Sequence, residues 1–463
     1  MPAILSRRAQ VIRWVAVATL GLGVACRSAE PQQPVTGGTS GSQTPTAGRD
    51  GMAGSGATGG DGGRVASTGG AGSSVAGTGG STSGAGGDGP AGRTGTGGAA
   101  NGGQGGAGAL GGGSGGSAGG GRAGAGGAPA VDRDATLSIM RRVADYELAR
   151  FAATPNDRNW ARAVFYTGLM AFYGASGDAK YLNAAQSWGQ RNTWALGTDT
   201  NGRPLSPPDN SRFADNQACV QTYAELYLQS PTPAMLAPAT TAFDRMISTP
   251  VAGRTEWWWC DSLFMAPAAL ARAAKALNKP EYLALMHRLY WDTKAYLYSP
   301  AQHLFYRDDT FLSSNTFWSR GNGWVFAGLA RILEAVPADD PRRSDYVALL
   351  RDMAEKLRTL QQSDGFWRSD LLNPNAYSMR ESSGTAFYCF GLSWGINNGL
   401  LDRATYLEPA KRAWTALTTV VSTAGRLGWV QGVGSSPGPS TADNTNDYAT
   451  GAFLLCGNEM LKL

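Results

Sequence analysis

The chain has 463 residues, 42% of them apolar and 10% aromatic, and a formal net charge of +5. So small a charge, with no basic stripe, argues against nucleic acid as a partner. Two histidines, His287 and His303, cannot build a histidine-based metal site or make a Ser-His-Asp triad attractive, and the cysteines show no metal-ligand spacing, so no metal or other cofactor is expected.

In chain order, residues 1–26 read as a targeting segment. Arg7, Arg8 and Arg13 precede the apolar run WVAVATLGLGVA, which is too short to span a bilayer but suits a signal peptide. Cys26 follows L-G-V-A and resembles the acceptor cysteine of a bacterial lipoprotein signal, although Gly23 stands where a branched apolar residue is preferred. The expectation is an exported protein held at the outer membrane or cell surface by lipid on Cys26, touching the membrane through that anchor alone. A periplasmic or secreted form is the alternative. Labelled palmitate distinguishes them: label lost in Cys26→Ala supports the anchor, and no label, or label surviving that change, rejects it.

Residues 27–130 follow as a Gly/Ser/Ala/Thr-rich stretch, with 41 of the 65 glycines between positions 37 and 127. With almost no aromatic or branched apolar side chains such a segment cannot offset its ordering entropy, and the absence of a G-X-Y period argues against collagen. A disordered tether is expected, with a root-mean-square span of roughly 55 Å.

From residue 131 to 463 the helical period recurs and strand-like alternation is scarce. Twelve helices are predicted near 133–152, 160–174, 178–194, 213–228, 232–247, 261–277, 280–297, 318–335, 341–361, 381–398, 404–421 and 447–461. Odd members are amphipathic, such as SDYVALLRDMAEKLRTLQ from Ser344. Even members are apolar around most of their circumference, such as SSGTAFYCFGLSWGI from Ser382. A helix apolar all round is buried and one with a charged stripe lies outside. Six hairpins with outer and inner members alternating predict an all-α (α/α)6 barrel. Antiparallel pairing then gathers the N-termini of the six inner helices at one mouth, where helix dipoles favour an anionic ligand.

Those N-termini carry the unusual residues. Residues 318–324 read W-S-R-G-N-G-W; aromatic faces there suit a sugar ring and the Arg320 fork suits a carboxylate. Trp160, Trp318 and Trp324 read as stacking platforms or as packing. Arg320 meets a substrate carboxylate or bridges an acid within the mouth. Asp215 and Asp261 each open an inner helix, and so read as helix caps or as the acid and base of a sugar hydrolase. The run Trp257, Trp258, Trp259, Cys260 before Asp261 supplies an apolar wall that raises a carboxyl pKa, while a helix N-terminus lowers it. Glu381 reads as a third acid or as a first-turn residue favoured by the helix dipole. His303, Asp308 and Asp309 read as loop residues, with the two acids solvated. Cys219, Cys260, Cys389 and Cys456 read as buried free thiols, although export permits a disulfide.

Together these motifs resemble glycoside hydrolase families 88 and 105, the unsaturated glucuronyl and unsaturated rhamnogalacturonyl hydrolases. The resemblance rests on W-S-R-G-N-G-W with VFAGLARILE, R-F-A-D-N-Q-A-C-V-Q-T-Y-A-E-L-Y from Arg212, W-C-D-S-L-F-M-A-P from Trp259, R-E-S-S-G-T-A-F, and the closing D-Y-A-T-G-A-F-L-L-C-G-N-E-M. It covers residues 132–463 and implies the same barrel. It further implies hydration of the C4=C5 enol ether that polysaccharide lyases leave on a terminal uronic acid, within an oligosaccharide substrate. Asp261 would be the general acid/base and Asp215 would position water or substrate. Arg320 would contact the uronate carboxylate, with Trp324, Trp160, Trp318 and Glu381 lining the site. One departure stands out: many rhamnogalacturonan-type members have F-Y-H-G-W-D before the signature, whereas this chain has L-F-Y-R-D-D. Arg307 in the histidine's place puts a rhamnogalacturonan disaccharide in doubt as the substrate, and could instead meet an additional anionic group such as a sulfate. Two other functions fit the residues alone: a conventional inverting glycosidase acting on acidic polysaccharide, and a non-catalytic sugar-binding lipoprotein.

Overall fold

The computed structural model describes residues 131–200 and 209–463. The signal segment over 1–26, Cys26 and the tether over 27–130 lie outside the described residues. Helices α1 (Arg133–Arg150), α2 (Trp160–Ser176) and α3 (Ala179–Arg191) come first, then the short α4 (Ala214–Gln217), α5 (Val220–Gln229), α6 (Ala237–Ser248) and the single turn α7 (Gly253–Glu256). There follow α8 (Ser262–Leu277), α9 (Pro280–Leu297), α10 (Ser319–Leu333), α11 (Arg343–Leu360), α12 (Ser382–Asn397), α13 (Arg403–Thr418) and α14 (Asp447–Met460). Each predicted helix is present within a few residues, except that the fourth is broken at Ala218 and Cys219 into α4 and α5.

The helices build two concentric layers. The inner ring runs α2, α5, α8, α10, α12, α14 and returns to α2, every neighbouring pair being in contact. Outside it α1 packs on α2 and α14, α3 on α2, α9 on α8, α11 on α10 and α13 on α12, while α6 leans on α9. This is the predicted barrel, and its cause is visible in burial. All of α10 from Ser319 to Leu333 is buried. In α11 only the stripe Tyr346, Leu349, Leu350, Met353, Ala354 and Leu357 is.

The ring closes on glycine. At the α2–α14 crossing a Cβ on Gly168 would lie 2.2 Å from the Gly451 carbonyl oxygen, and one on Gly451 would lie 2.3 Å from that of Val164. No side chain fits between these backbones. Cys389 of α12 and Cys456 of α14, 5.6 Å apart at Cα, are joined in a disulfide across 67 residues, which corrects the reading of both as free thiols. The two positions face one another across a helix interface at a spacing that a disulfide spans; in sequence they are merely two apolar helix residues. Cys219 and Cys260 remain buried thiols.

The two ends of the barrel differ. Where the inner helices finish, Arg272 donates to Glu225 at 2.9 Å and Arg331 donates to Glu225 at 2.6 Å and to Glu334 at 2.7 Å, both arginines being buried. Arginines at helix C-termini complement the dipole, and this lattice plugs that end. At the other end a two-stranded antiparallel hairpin, β1 (Tyr298–Ser299) and β2 (Leu304–Phe305), turns the chain out of α9 and delivers Arg307 to the mouth.

Candidate active site

The mouth is formed by the inner helix N-termini. Asn159 caps α2 by accepting from Arg162 N at 3.0 Å. Asp261, in contrast, stands immediately before α8 with helical backbone angles (φ −62°, ψ −29°), and its side chain caps nothing. Asp215 lies within the first turn of α4, whose N-cap position is Phe213, again with no side-chain cap. Neither aspartate is used by its helix, so the capping explanation is set aside for both.

The Asp261 carboxylate is buried among Trp259, Cys260 and Arg307. Arg307 Nε lies 3.8 Å from Asp261 Oδ2, Cys260 Sγ lies 3.5 Å from the same oxygen, and Cys260 N donates to the Arg307 carbonyl at 2.8 Å. Burial raises the Asp261 carboxyl above the ordinary aspartate range, against the opposing charges of Arg307 and Arg320. Asp215 is raised further, well above that range, by desolvation and then by the charges of Asp261 and Asp199, with Arg307 opposing. The two carboxyls therefore belong to one electrostatic unit, both raised by burial and both opposed by the charge of Arg307.

Asp199 is the carboxylate that the sequence did not single out. It sits on an unstructured stretch after α3, where no periodicity marks it. It is fixed by Asn216, whose Oδ1 accepts from Asp199 N at 2.7 Å and whose Nδ2 donates to Asp199 O at 2.9 Å. The residue next to Asp215 thus carries a third acid into its field. Asp199 and Trp160 line a cavity of about 310 Å³ with Asn159, Arg162, Val433 and Asn446.

The aromatic residues divide into a floor and a rim. Trp324 is buried at the barrel axis, with ring centroids 4.2 Å from Phe387, 5.0 Å from Phe264, 5.8 Å from Tyr448 and 5.9 Å from Trp160. Trp160 is half-buried and stacks on Tyr448 at 5.3 Å, presenting an accessible ring at the cavity wall. Of the two, Trp160 is the accessible ring, while Trp324 is enclosed by its aromatic neighbours.

Three predicted ligand residues are otherwise employed. Trp318 is buried and its Nε1 donates to Gln431 Oε1 at 2.8 Å. Arg320, 1% exposed, donates from Nη1 to the Gln431 carbonyl and the Tyr448 hydroxyl, both at 2.7 Å, and from Nη2 to the Gly432 carbonyl at 2.9 Å. Its fork clamps the loop over residues 428–433 instead of standing open to a carboxylate. Asn322 extends the clamp to the hairpin, accepting from Phe305 N at 2.7 Å and donating to Phe305 O at 3.0 Å. Glu381, also 1% exposed, is the N-cap of α12: it accepts from Ser383 N at 2.9 Å and Gly384 N at 2.7 Å, which occupies both oxygens. In this structure Trp318, Arg320 and Glu381 thus hydrogen-bond to groups of the protein itself, and contact of any of the three with substrate is a proposal. Their partners are a side-chain oxygen for Trp318, loop carbonyls and a tyrosine hydroxyl for Arg320, and amides of the first turn of α12 for Glu381.

Among the loop residues, His303 is exposed and pairs with Asp352 at 2.7 Å, away from the aspartates. Asp308 is not solvated. It is buried, accepts from Thr310 N at 2.9 Å, and receives Arg307 Nη1 at 2.6 Å. Among the described residues no cluster of acids, histidines and cysteines could hold a metal ion.

A plugged (α/α)6 barrel, an aromatic wall and coupled uncapped carboxylates at its open mouth define a carbohydrate-processing hydrolase. The profile of Glycosyl Hydrolase Family 88 matches residues 133–463, and the chain belongs to that family. An unsaturated 3S-rhamnoglycuronyl hydrolase of Formosa agariphila is 38% identical over 68% of this chain and 86% of its own length. A second protein of that description, from an Alteromonas species, is 33% identical over 67% of this chain and 79% of its own. Of solved structures, a family 88 hydrolase from Bacteroides vulgatus superposes with a TM-score of 0.66 at 30% identity, covering 71% of this chain and 99% of that one.

The site predicts opposite effects on turnover and stability. Asp261→Asn is expected to lower kcat by about 10²–10⁴-fold, as loss of a positioned proton donor does, and activity should fall as pH rises through the raised Asp261 pKa. Because the folded-state pKa of Asp215 exceeds the unfolded value of about 3.9, its ionisation lowers stability as pH rises through the interval between the two. Asp215→Asn should therefore raise the thermal midpoint near neutral pH while lowering turnover. A lower midpoint at that pH would contradict the electrostatic account.

Proposed function

We propose that this hydrolase acts on oligosaccharides ending in a C4=C5 unsaturated uronic acid, and does so by hydrating the double bond. The observation that carries the reading is Asp261: a buried carboxyl that caps no helix, held toward its protonated form beside a second carboxyl. The acid form of Asp261 delivers its proton to C4, and the positive charge that develops at C5 is shared with the ring oxygen. Water adds to C5 and returns a proton to the Asp261 carboxylate. The C5 hemiketal then opens and the C1 end releases the neighbouring sugar, so that one water is consumed overall. A group that gives and retakes a proton works best with its pKa near the operating pH. In this reading Asp261 takes the cycling role and Asp215 orients water or a sugar hydroxyl. Trp160 and Trp324 flank the ring.

For the neighbouring sugar we propose a 3-sulfated rhamnose, in keeping with the descriptions of the Formosa and Alteromonas relatives. Arg307 supports this choice. Its guanidinium stacks over Trp258 at 5.0 Å, one Nη is committed to Asp308, and Nε is buried without a hydrogen-bond partner. A cation with unspent donors at the rim matches an anionic oxygen group. We further propose that the enzyme is exported and held by lipid on Cys26, the labelling test being the one given above.

The expected outcome is loss of the ultraviolet band of the conjugated uronate when the enzyme meets such a disaccharide. Arg307→Gln should reduce kcat/KM on the sulfated substrate by about tenfold to a hundredfold, the worth of one charge-assisted hydrogen bond, with little change on its desulfated counterpart. An unchanged ultraviolet band with release of saturated sugar would replace the reading with a conventional glycosidase. Equal losses on both substrates would remove the sulfate.

A further inference from the structure

The two stretches that bear Asp215 and Asp261 are tied together behind the cavity. Arg212, 1% exposed, lies three residues before Asp215, and Glu256, 0% exposed, lies five residues before Asp261. Arg212 Nη2 is in ion-pair contact with Glu256 Oε1. The same guanidinium grips the residue that follows α6, donating from Nη1 to Thr249 Oγ1 at 2.8 Å and from Nη2 to the Thr249 carbonyl at 2.9 Å.

Glu256 is equally fixed. It ends α7, which presses on α9 so closely that a Cβ on Gly253 would fall 2.2 Å from the Leu289 carbonyl oxygen. Thr293 of α9 also donates to the Trp257 carbonyl at 3.1 Å. Arg212 is the ion-pair partner of the Glu256 carboxylate. A few residues nearer the mouth the rings of Phe213 and Trp259 make a second bridge, 5.0 Å between centroids.

Net stability is a weak reason for this pair, because the desolvation of two buried charges largely offsets their attraction. Geometry is the stronger one. The segment entering α4 is short and the helix it leads into is broken, so the helix alone does not hold Asp215. Asp261 likewise precedes its helix. Both carboxylates depend on what anchors the chain just upstream, and the pair is the polar link between those anchors.

We infer that the Arg212–Glu256 ion pair is a positioning device that sets the separation of Asp215 and Asp261. Neither residue is exposed to the cavity, so both act through the aspartates. The inference rests on the proposed reaction and is tested with it.

Full-length enzyme carrying Glu256→Gln, Arg212→Met or both would be assayed on an unsaturated uronyl disaccharide, with thermal midpoints recorded in parallel. Misplacement of a reacting group by about 1 Å costs on the order of a hundredfold. Each single change should therefore lower kcat by about tenfold to a hundredfold while KM stays within about threefold. Because the two residues act as one unit, the double variant should be no slower than the worse single one. If Arg212→Met does not fold, Arg212→Lys, which keeps the charge and lacks the fork, carries the same expectation. Folded variants whose kcat stays within about twofold of the parent and whose midpoints alone fall would make the pair structural and overturn the inference. So would single losses that multiply in the double variant. A parent enzyme that leaves the disaccharide untouched would overturn the proposed reaction and this inference with it, whereas an active parent with unaffected variants defeats the inference alone.

Discussion

Closure of the inner ring is the constraint from which the rest of this structure follows. Six largely apolar helices can bury their whole circumference only if each is flanked by two neighbours and backed by an outer helix. The seam where first and last meet admits nothing larger than glycine, at Gly168 and Gly451. Once the ring is closed, antiparallel hairpins leave no choice about orientation, and all inner N-termini open on one mouth. The opposite end is filled by the lattice of Arg272, Arg331, Glu225 and Glu334. The polar, helix-dipole-biased end of the barrel is therefore the one that carries Asp215 and Asp261.

At that mouth the division of labour is sharper than residue type suggests. Charged and aromatic groups that look alike in sequence differ in whether they are bonded into loops and helix ends. Arg320, Trp318, Asn322 and Glu381 fix the segments around residues 428–433, the hairpin and the start of α12. Their work frees Trp160, Asp215, Asp261 and Arg307 from structural duty. Asp261 can then sit desolvated beside another carboxyl, which an unsupported loop would not tolerate, because the cost of burying the charge would be relieved by movement into water.

Helix number, helix parity and the location of the mouth were legible because they are written in local periodicity. Alternation between charged-stripe helices, as in α11, and uniformly apolar ones, as in α10, is itself the signature of outer and inner layers. Asp215 and Asp261 were legible for a related reason: each is a polar residue at the start of an apolar helix. What escaped depends on contacts across long separations. The role of Arg320 is set by the carbonyls of Gln431 and Gly432, and the pairing of Cys389 with Cys456 by the packing of α12 on α14. Asp199 was invisible because its place is dictated by the side chain of Asn216. The break between α4 and α5 also left no trace in hydrophobic pattern, since both halves remain buried.

The central claim is that Asp261 protonates carbon. Hydration of an enol ether deposits a solvent-derived hydrogen at C4 of the uronate, whereas direct cleavage of the glycosidic bond leaves C4 untouched. Turnover of an unsaturated uronyl disaccharide in deuterated water, followed by nuclear magnetic resonance of the products, reads that position directly. The account predicts a single deuterium at C4 of a product that no longer carries the double bond. A released uronate with its double bond intact and no deuterium at C4 would contradict it.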